Sequence, residues 1–423
     1  MSQLNMPDLK PLVFITACLL VFPAGPATAA ETSGHEEAGI VLDEQLTLPA
    51  LLGRTLEHHP QAGVIRAGQD TAAAEEAFGD RWFPDAAELS GFHLSDSTLD
   101  DTGFYENEAS LNFPLWLPGE KKAQVALGEA SAANQSSRER AFRWRVSGLL
   151  RQQSWRLARA RRHWELALEQ EQRLQEVYEQ VALFTEVGDT SRSDLLSTMQ
   201  ELATWKSETI ELEAEYQDAA REFTALTGSH SMPSDLTETL TGRQDIGNDH
   251  PAMQQALDQL AKSSAAAEVV SQGNTARPSV NIFWRDFRGE RNTPDVNALG
   301  LGFSMPLGKS PSRRPEIAQA NEELAMAEAR LLQTRRELDL QLHEARHLLH
   351  TTEQQLALSE QMMEAARERH RLDELAFDLG EISVRQWLRR LSETKEIQQS
   401  HELLLLQQGA AVAAYNQAAG ESL

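Results

Sequence analysis

The 423-residue chain is 41% apolar and 24% charged, too polar a balance for a helical membrane protein. Beyond residue 30 it has no apolar run of the roughly 18 residues that a helix needs to cross a bilayer. Its formal charge of -25, from 39 basic against 64 acidic residues, would repel phosphodiesters and excludes wrapping by nucleic acid, so the expected partners do not include it. Any membrane role falls to strands.

Residues 1–30 read as an export signal. Lys10 precedes the apolar run PLVFITACLLVF, and PATAAE offers an A-x-A cleavage site near Ala29 or Ala30. The one cysteine, Cys18, lies inside this segment, so the mature chain has no disulfide. ITAC (Ile15 to Cys18) loosely resembles a lipobox, which would make Cys18 a lipidated first residue. The competing reading is a cysteine within an ordinary signal, because LLVF continues the apolar run past it. Residues 31–45 read as a flexible acidic lead-in.

An internal repeat organises the rest. Pro114 answers Pro306, Gly188 answers Gly380 and Gly228 answers Gly420, each 192 residues later, while His59-Pro60 answers His250-Pro251 at 191. The landmarks define a first repeat over 46–228, a linker over 229–248 and a second repeat over 249–420. Each repeat opens with a short amphipathic helix near its HP pair. Two extended segments follow, over about 84–94 and 107–117, then about 278–287 and 296–307. Ala109, Leu111, Phe113 and Leu115 alternate with Glu108, Ser110 and Asn112; Leu299, Leu301, Phe303, Met305 and Leu307 alternate with Ala298, Gly300, Gly302 and Ser304. Period-two alternation over about ten residues fits a membrane-spanning barrel strand and equally a half-buried soluble hairpin.

Proline-poor runs follow over about 120–185 and 313–377. As helices they would be on the order of 100 Å long at 1.5 Å per residue, and a helix of that length needs a seam to bury. Leu338, Leu342, Ala345, Leu349, Thr352, Leu356, Ser359, Met363 and Ala366 provide one at four- and three-residue steps. Leu157, Ala160, Trp164, Ala167, Leu174, Tyr178 and Val181 provide another, interrupted by Glu171. Gly188 and Gly380 then mark turns into returning helices over about 191–226 and 383–418. Arg156, Arg159, Arg161 and Arg162 form a basic cluster for which neighbouring acids such as Glu165 are expected partners.

QLHEARHLLH (Gln341 to His350) contains HExxH, the helical zinc signature of metallopeptidases. With Leu342 and Leu349 at a and Ala345 at d, however, His343, Glu344, His347 and His350 fall at b, c, f and b, away from the seam. His343 and His350 stand about 10 Å apart along the axis, too far to share one zinc. The spacing favours a solvated face; a zinc metallopeptidase, or a two-histidine metal contact by His343/His347 or His347/His350, is the competing reading. No catalytic residue, cofactor or metal ligand is assigned.

In order and spacing the two repeats resemble the TolC-type outer-membrane efflux factors. The resemblance rests on LTLPALLGRTLEHHPQ (Leu46 to Gln61), on LNFPLWLPGEKKAQV, and on the turns VGDTSRSDLL and LGEISVRQWL. It implies a mainly α fold with transmembrane β, assembled as a homotrimer with a twelve-stranded barrel and a long periplasmic helical tunnel. It implies a passive channel, not an enzyme, fed by an inner-membrane pump through a periplasmic adaptor. The adaptor would dock at Val187, Gly188, Asp189, Thr190 and Ser191 and at Leu379, Gly380, Glu381, Ile382 and Ser383. Lys121, Lys122, Arg313 and Arg314 would start the long helices near lipid headgroups. Asp194 matches the family's acidic gate; Gln386 and Arg389 stand where acid is expected in the second repeat, which would reverse the local charge preference. The acidic balance and twelve histidines agree with a heavy-metal cation branch. A soluble periplasmic coiled-coil scaffold is the rival from another class.

Overall fold

The computed structural model describes residues 39–188, 190–274, 276–308 and 310–423. The export signal and Cys18 lie outside them. The first described element is β1 (Val41–Asp43), which pairs in parallel with β4 (Ser231–Pro233). This corrects the expectation of a flexible lead-in: it is a strand where it reaches residue 41, and the inter-repeat linker supplies its partner. The reason is a pair of side-chain anchors that composition does not reveal. Met232 and Leu236 are buried against Leu150, Leu157 and Phe223, and Ile40 donates its N–H to the Tyr216 hydroxyl at 3.3 Å.

Each repeat opens with a helix begun by local chemistry. In α1 (Leu48–His58) the Thr47 hydroxyl accepts the Ala50 N–H, and proline occupies the first turn. In α5 (Pro251–Gln272) the same cap is made by His250, whose Nδ1 accepts the Ala252 N–H at 3.2 Å. In the first repeat, α2 (Ala62–Gly79) continues from α1.

The strands β2 (Glu88–Ser95), β3 (Tyr105–Pro114), β5 (Ser279–Arg288) and β6 (Val296–Ser304) form one antiparallel sheet in the order β2-β3-β5-β6. β3 and β6 stop short of the expected 117 and 307, because Pro114 and Pro306 have no N–H for the ladder. β2 starts at Glu88 rather than 84, four residues beyond Pro84. The register lines up Leu89, Leu111, Ile282 and Leu301 in one row across the sheet. That face is bare: Leu89 is 78% exposed, Leu301 77% and Phe303 65%. The other face is polar. Arg285 reaches Glu108 at 2.7 Å and Glu106 at 3.0 Å, and Phe283 and Asn281 occupy the space above Gly300 and Gly302. Among the described residues β2 and β6 have no outer neighbour in the sheet.

Two very long helices dominate: α3 (Glu120–Glu186, 67 residues) and α6 (Arg314–Asp378, 65 residues). Each turns into a returning helix, α4 (Arg192–Thr227) and α7 (Val384–Ala418). All nine seam positions on α6, from Leu338 to Ala366, are buried, since along that stretch α6 lies against α7. On α3, Leu157, Ala167, Leu174 and Val181 are buried, but Ala160, Trp164, Glu171 and Tyr178 are only half-buried and Val177 is buried in their stead. Here α4 packs on one side while α2, α5 and α7 pack on others along its length, so burial spreads around the helix and no single seam describes it. The helices therefore lie side by side as α4-α3-α7-α6 towards the turns and as α2-α3-α5-α6 towards the sheet.

The basic cluster on α3 is paired. Arg156 meets Glu222 of α4, Arg161 meets Glu165 at 2.8 Å, and Arg162 meets Glu402 of α7 at 2.5 Å. Arg159 has no ion pair among the described residues. Across the waist Arg151 is held bidentately by Glu238 at 2.7 and 2.8 Å, the planar fork matching the carboxylate.

Candidate functional site at the hairpin tips

The two turns are built alike. At the end of α6, Gly380 (φ +72°) donates its N–H to the Phe377 carbonyl, and Glu381 donates to Ala376. This is the Schellman pattern, which needs the left-handed backbone that glycine adopts without steric cost. At the end of α3, Gly188 (φ +86°) donates to Thr185, and the Thr190 N–H closes onto Phe184. Three residues beyond each glycine a serine caps the returning helix: the Ser191 hydroxyl accepts from the Asp194 N–H at 3.1 Å, and the Ser383 hydroxyl from the Gln386 N–H at 3.3 Å. Val187 and Leu379, at matching positions, stand 65% and 66% exposed. Of the turn residues singled out from sequence, Asp189 lies outside the described residues.

The three gate candidates have different surroundings. Gln386 turns its side chain back to the Ser383 N–H at 3.2 Å and completes a capping box, so its amide is occupied by its own helix. Arg389 is exposed and lies 3.3 Å from Glu393, one turn on. Asp194 accepts from the Ser191 hydroxyl at 2.8 Å. Asp194 and Arg389 line one cavity of about 1060 Å³ between the two tips, together with Thr190, Ser191, Gly380, Ile382 and Ser383; Gln386 does not line it.

Sequence reasoning missed three acids in that cavity, Glu201, Glu393 and Glu396. The signal was present: Glu201 stands seven residues, two helical turns, after Asp194 and so on the same face. With four carboxylates and one guanidinium the cavity is acidic from both repeats, whereas the expectation from Arg389 alone was a reversal of charge. Trp205 and Phe377 supply its apolar lining, and Phe377 stacks on Trp387 at 5.0 Å.

Elsewhere His343, Glu344, His347 and His350 lie exposed on α6, many turns from either end, as the heptad positions predict. Among the described residues no group of three or more His, Cys, Asp or Glu side chains is placed to hold a metal. His250 is fully buried edge-on against Trp144 at 4.9 Å, and burial pushes its imidazole down to about 4. No described helix is long and apolar enough to cross a membrane.

No family model and no curated protein matches the chain in sequence. Solved structures do match in shape. The outer-membrane channel OprN superposes with a TM-score of 0.70 at 16% identity, over 94% of this chain and 99% of that one. The outer membrane protein VceC of Vibrio cholerae gives 0.69 at 15% identity over 89% and 96%. CusC, described with transmembrane channel formation, gives 0.69 at 13% identity over 92% and 96%. Identities this low establish shared architecture, and it extends over nearly all of each chain. The protein has the TolC-like outer-membrane channel fold.

Proposed function

We propose that the chain is one protomer of a trimeric outer-membrane efflux channel that conducts cargo passively from a pump and adaptor across the periplasm and outer membrane. The observation that carries this is the four-stranded sheet, apolar on one face and unpaired at both edges. Exposed leucines at Leu89, Leu299 and Leu301 would be an aggregation liability in water. In hydrocarbon they are at home, but open edges are not tolerated there. Three copies joined β6 to β2 give twelve strands and remove every edge. The bare sheet face then meets lipid, and the Arg285, Glu106 and Glu108 cluster faces the lumen. The same apolar face weighs against a soluble periplasmic scaffold, and the exposed mid-helix HExxH against a metallopeptidase.

Val187 and Leu379 at the matched turns suit an adaptor's helical hairpin, and the acidic cavity above them suits a constriction. Its carboxylates would concentrate cations by field alone, without ligating them; heavy-metal cations are the cargo this charge favours.

The test uses cysteine pairs. Single cysteines along β6 (Val296–Ser304) combined with single cysteines along β2 (Glu88–Ser95), in a Cys18→Ala background, should include pairs that crosslink between chains into a covalent trimer in outer-membrane fractions extracted by detergent, at the offset set by the barrel's shear. Release of an uncrosslinked monomer by osmotic shock would overturn the channel.

A further inference from the structure

The bare face of the sheet is not apolar over its whole height. Two rows beyond Leu89, Leu111, Ile282 and Leu301, the register sets His93, Asn107, Asp286 and Asn297 side by side across all four strands. Each strand thus gives one hydrogen-bonding side chain at one level. His93 Nδ1 lies 2.6 Å from Asn107 Oδ1, and Asn107 Nδ2 donates to Asp286 at 3.4 Å. We propose that this row, on the outside of the barrel, binds the phosphorylated glucosamine headgroup of an outer-leaflet glycolipid, an inference that rests on the channel assigned above.

The level of the row follows from strand geometry. Below Asn297 the same side of β6 and its extension carries Leu299, Leu301, Phe303, Met305 and Leu307, all exposed. Asn297 and Leu307 are ten positions apart, about 33 Å at 3.3 Å per residue and about 25 Å once the strand tilts by roughly 40°. That is the height of the apolar band on a membrane barrel. The row therefore stands where hydrocarbon ends, and Asp286 would be costly any deeper. It lies at the hairpin ends of the strands, opposite the end from which α3 and α6 depart, which puts it in the outer leaflet.

The surroundings favour a sugar phosphate. One row below, Trp284 is 44% exposed on the same face, and its negative ring face attracts the C–H groups of a sugar. One row above, Arg288 stacks over Tyr105 at 4.9 Å. Its Nε donates to the Gly103 carbonyl at 3.2 Å, whereas its Nη1 stands 3.6 Å from Asp295, beyond hydrogen-bond reach. The terminal nitrogens of Arg288 make no hydrogen bond among the described residues, and their fork matches a phosphate. Sugar hydroxyls and amides find donors and acceptors in the row between. A phosphatidylglycerol headgroup offers the phosphate but no ring for the indole.

Native mass spectrometry of the full-length trimer in detergent, titrated with bis-phosphorylated lipid A or with phosphatidylglycerol, tests this. The parent should hold lipid A roughly ten-fold more tightly. Arg288→Gln and Trp284→Ala should each weaken lipid A binding by about three- to ten-fold, the range for one charge-assisted hydrogen bond or one ring contact. Asn107→Leu combined with Asp286→Leu, which extends the apolar band and leaves the strands suited to lipid, should abolish the preference. The remote Arg371→Gln should leave it unchanged. Equal binding of the two lipids by the parent, or a preference that survives the paired leucine substitutions, overturns the proposal. Planar-bilayer conductance of the same preparation separates the two readings. Ion current without a preference for lipid A sinks the site alone, and absence of both trimer and current sinks the channel beneath it.

Discussion

The tips of the two hairpins share a backbone and fill it with opposite chemistry. In the first, Val177 and Val181 of α3 are buried with Thr198 and Leu202 of α4. The residues 192 positions later are Arg369, Asp373, Arg390 and Thr394. There Arg390 pairs with Asp373, whose side chain is only 7% exposed, and Arg369 meets Glu393 at 3.2 Å and Thr394 at 3.3 Å. Geometry from the duplication thus survives exchange of an apolar seam for an ionic one, but the cost of separation differs. Apolar faces parted in water lose their whole driving force, whereas parted ions recover hydration. Parting the second tip should therefore cost less than parting the first.

The largest expected effect comes from forcing the ionic chemistry into the apolar tip. Val181→Asp strands a charge in the first seam and should cost about 3 kcal/mol or more. Adding Thr198→Arg recreates the pair of the second tip and should restore most of that, as measured by hydrogen exchange over 170–205. If the double variant is no better than the single, the tips are not interchangeable.

Next in size is a pH effect centred on His250, packed between the second repeat and Trp144 of α3. His250 is a base whose folded value, about 4, lies below the ordinary 6.5, because burial disfavours its charged form. Its contribution is therefore complete above pH 6.5 and lost as pH falls towards 4, up to about 3 kcal/mol at 1.36 kcal/mol per pH unit. Thermal unfolding of the parent should steepen in pH dependence across that window, and His250→Asn, which keeps an N-cap acceptor, should flatten it.

Asp373→Asn should cost about 2 kcal/mol, less than a fully buried pair because Arg390 is half exposed. Exchange should quicken over 365–395 and stay unchanged at the first tip. Smallest, Ser191→Ala and Ser383→Ala should each cost about 1 kcal/mol of local stability. Ser383→Ala should cost more than Ser191→Ala, because only the second cap is a full capping box.

Much of this architecture is legible in the chain. Repeat spacing, strand alternation and the α6 seam are local periodic signals, and each survives because one face of its element has one neighbour. What escaped has several neighbours or none in sequence. The spread of burial around α3 depends on α2, α4, α5 and α7 together. The pairing of β1 with β4 depends on Tyr216 and Leu150, far from both strands. At the tip, Asp194 was visible from its place after the turn, but the acidity of the cavity comes from Glu201, Glu393 and Glu396, brought together only when the hairpins lie side by side. Gln386 shows a related limit: three residues after a serine, its side chain caps the start of its own helix.

The parallel pairing at the waist bears on the order in which the protomer matures. Val41 meets Ser231, 190 residues away, and the Leu423 N–H reaches the Ser147 hydroxyl across 276. Loops of this span close slowly compared with hairpins whose arms are adjacent in the chain. The leading end must wait undocked while the first hairpin zips, and the last residues must wait for the second. The waist is then a late-setting clasp, and a chain stalled before it closes would present finished rods with Met232, Leu236 and Phe223 uncovered to chaperones and proteases.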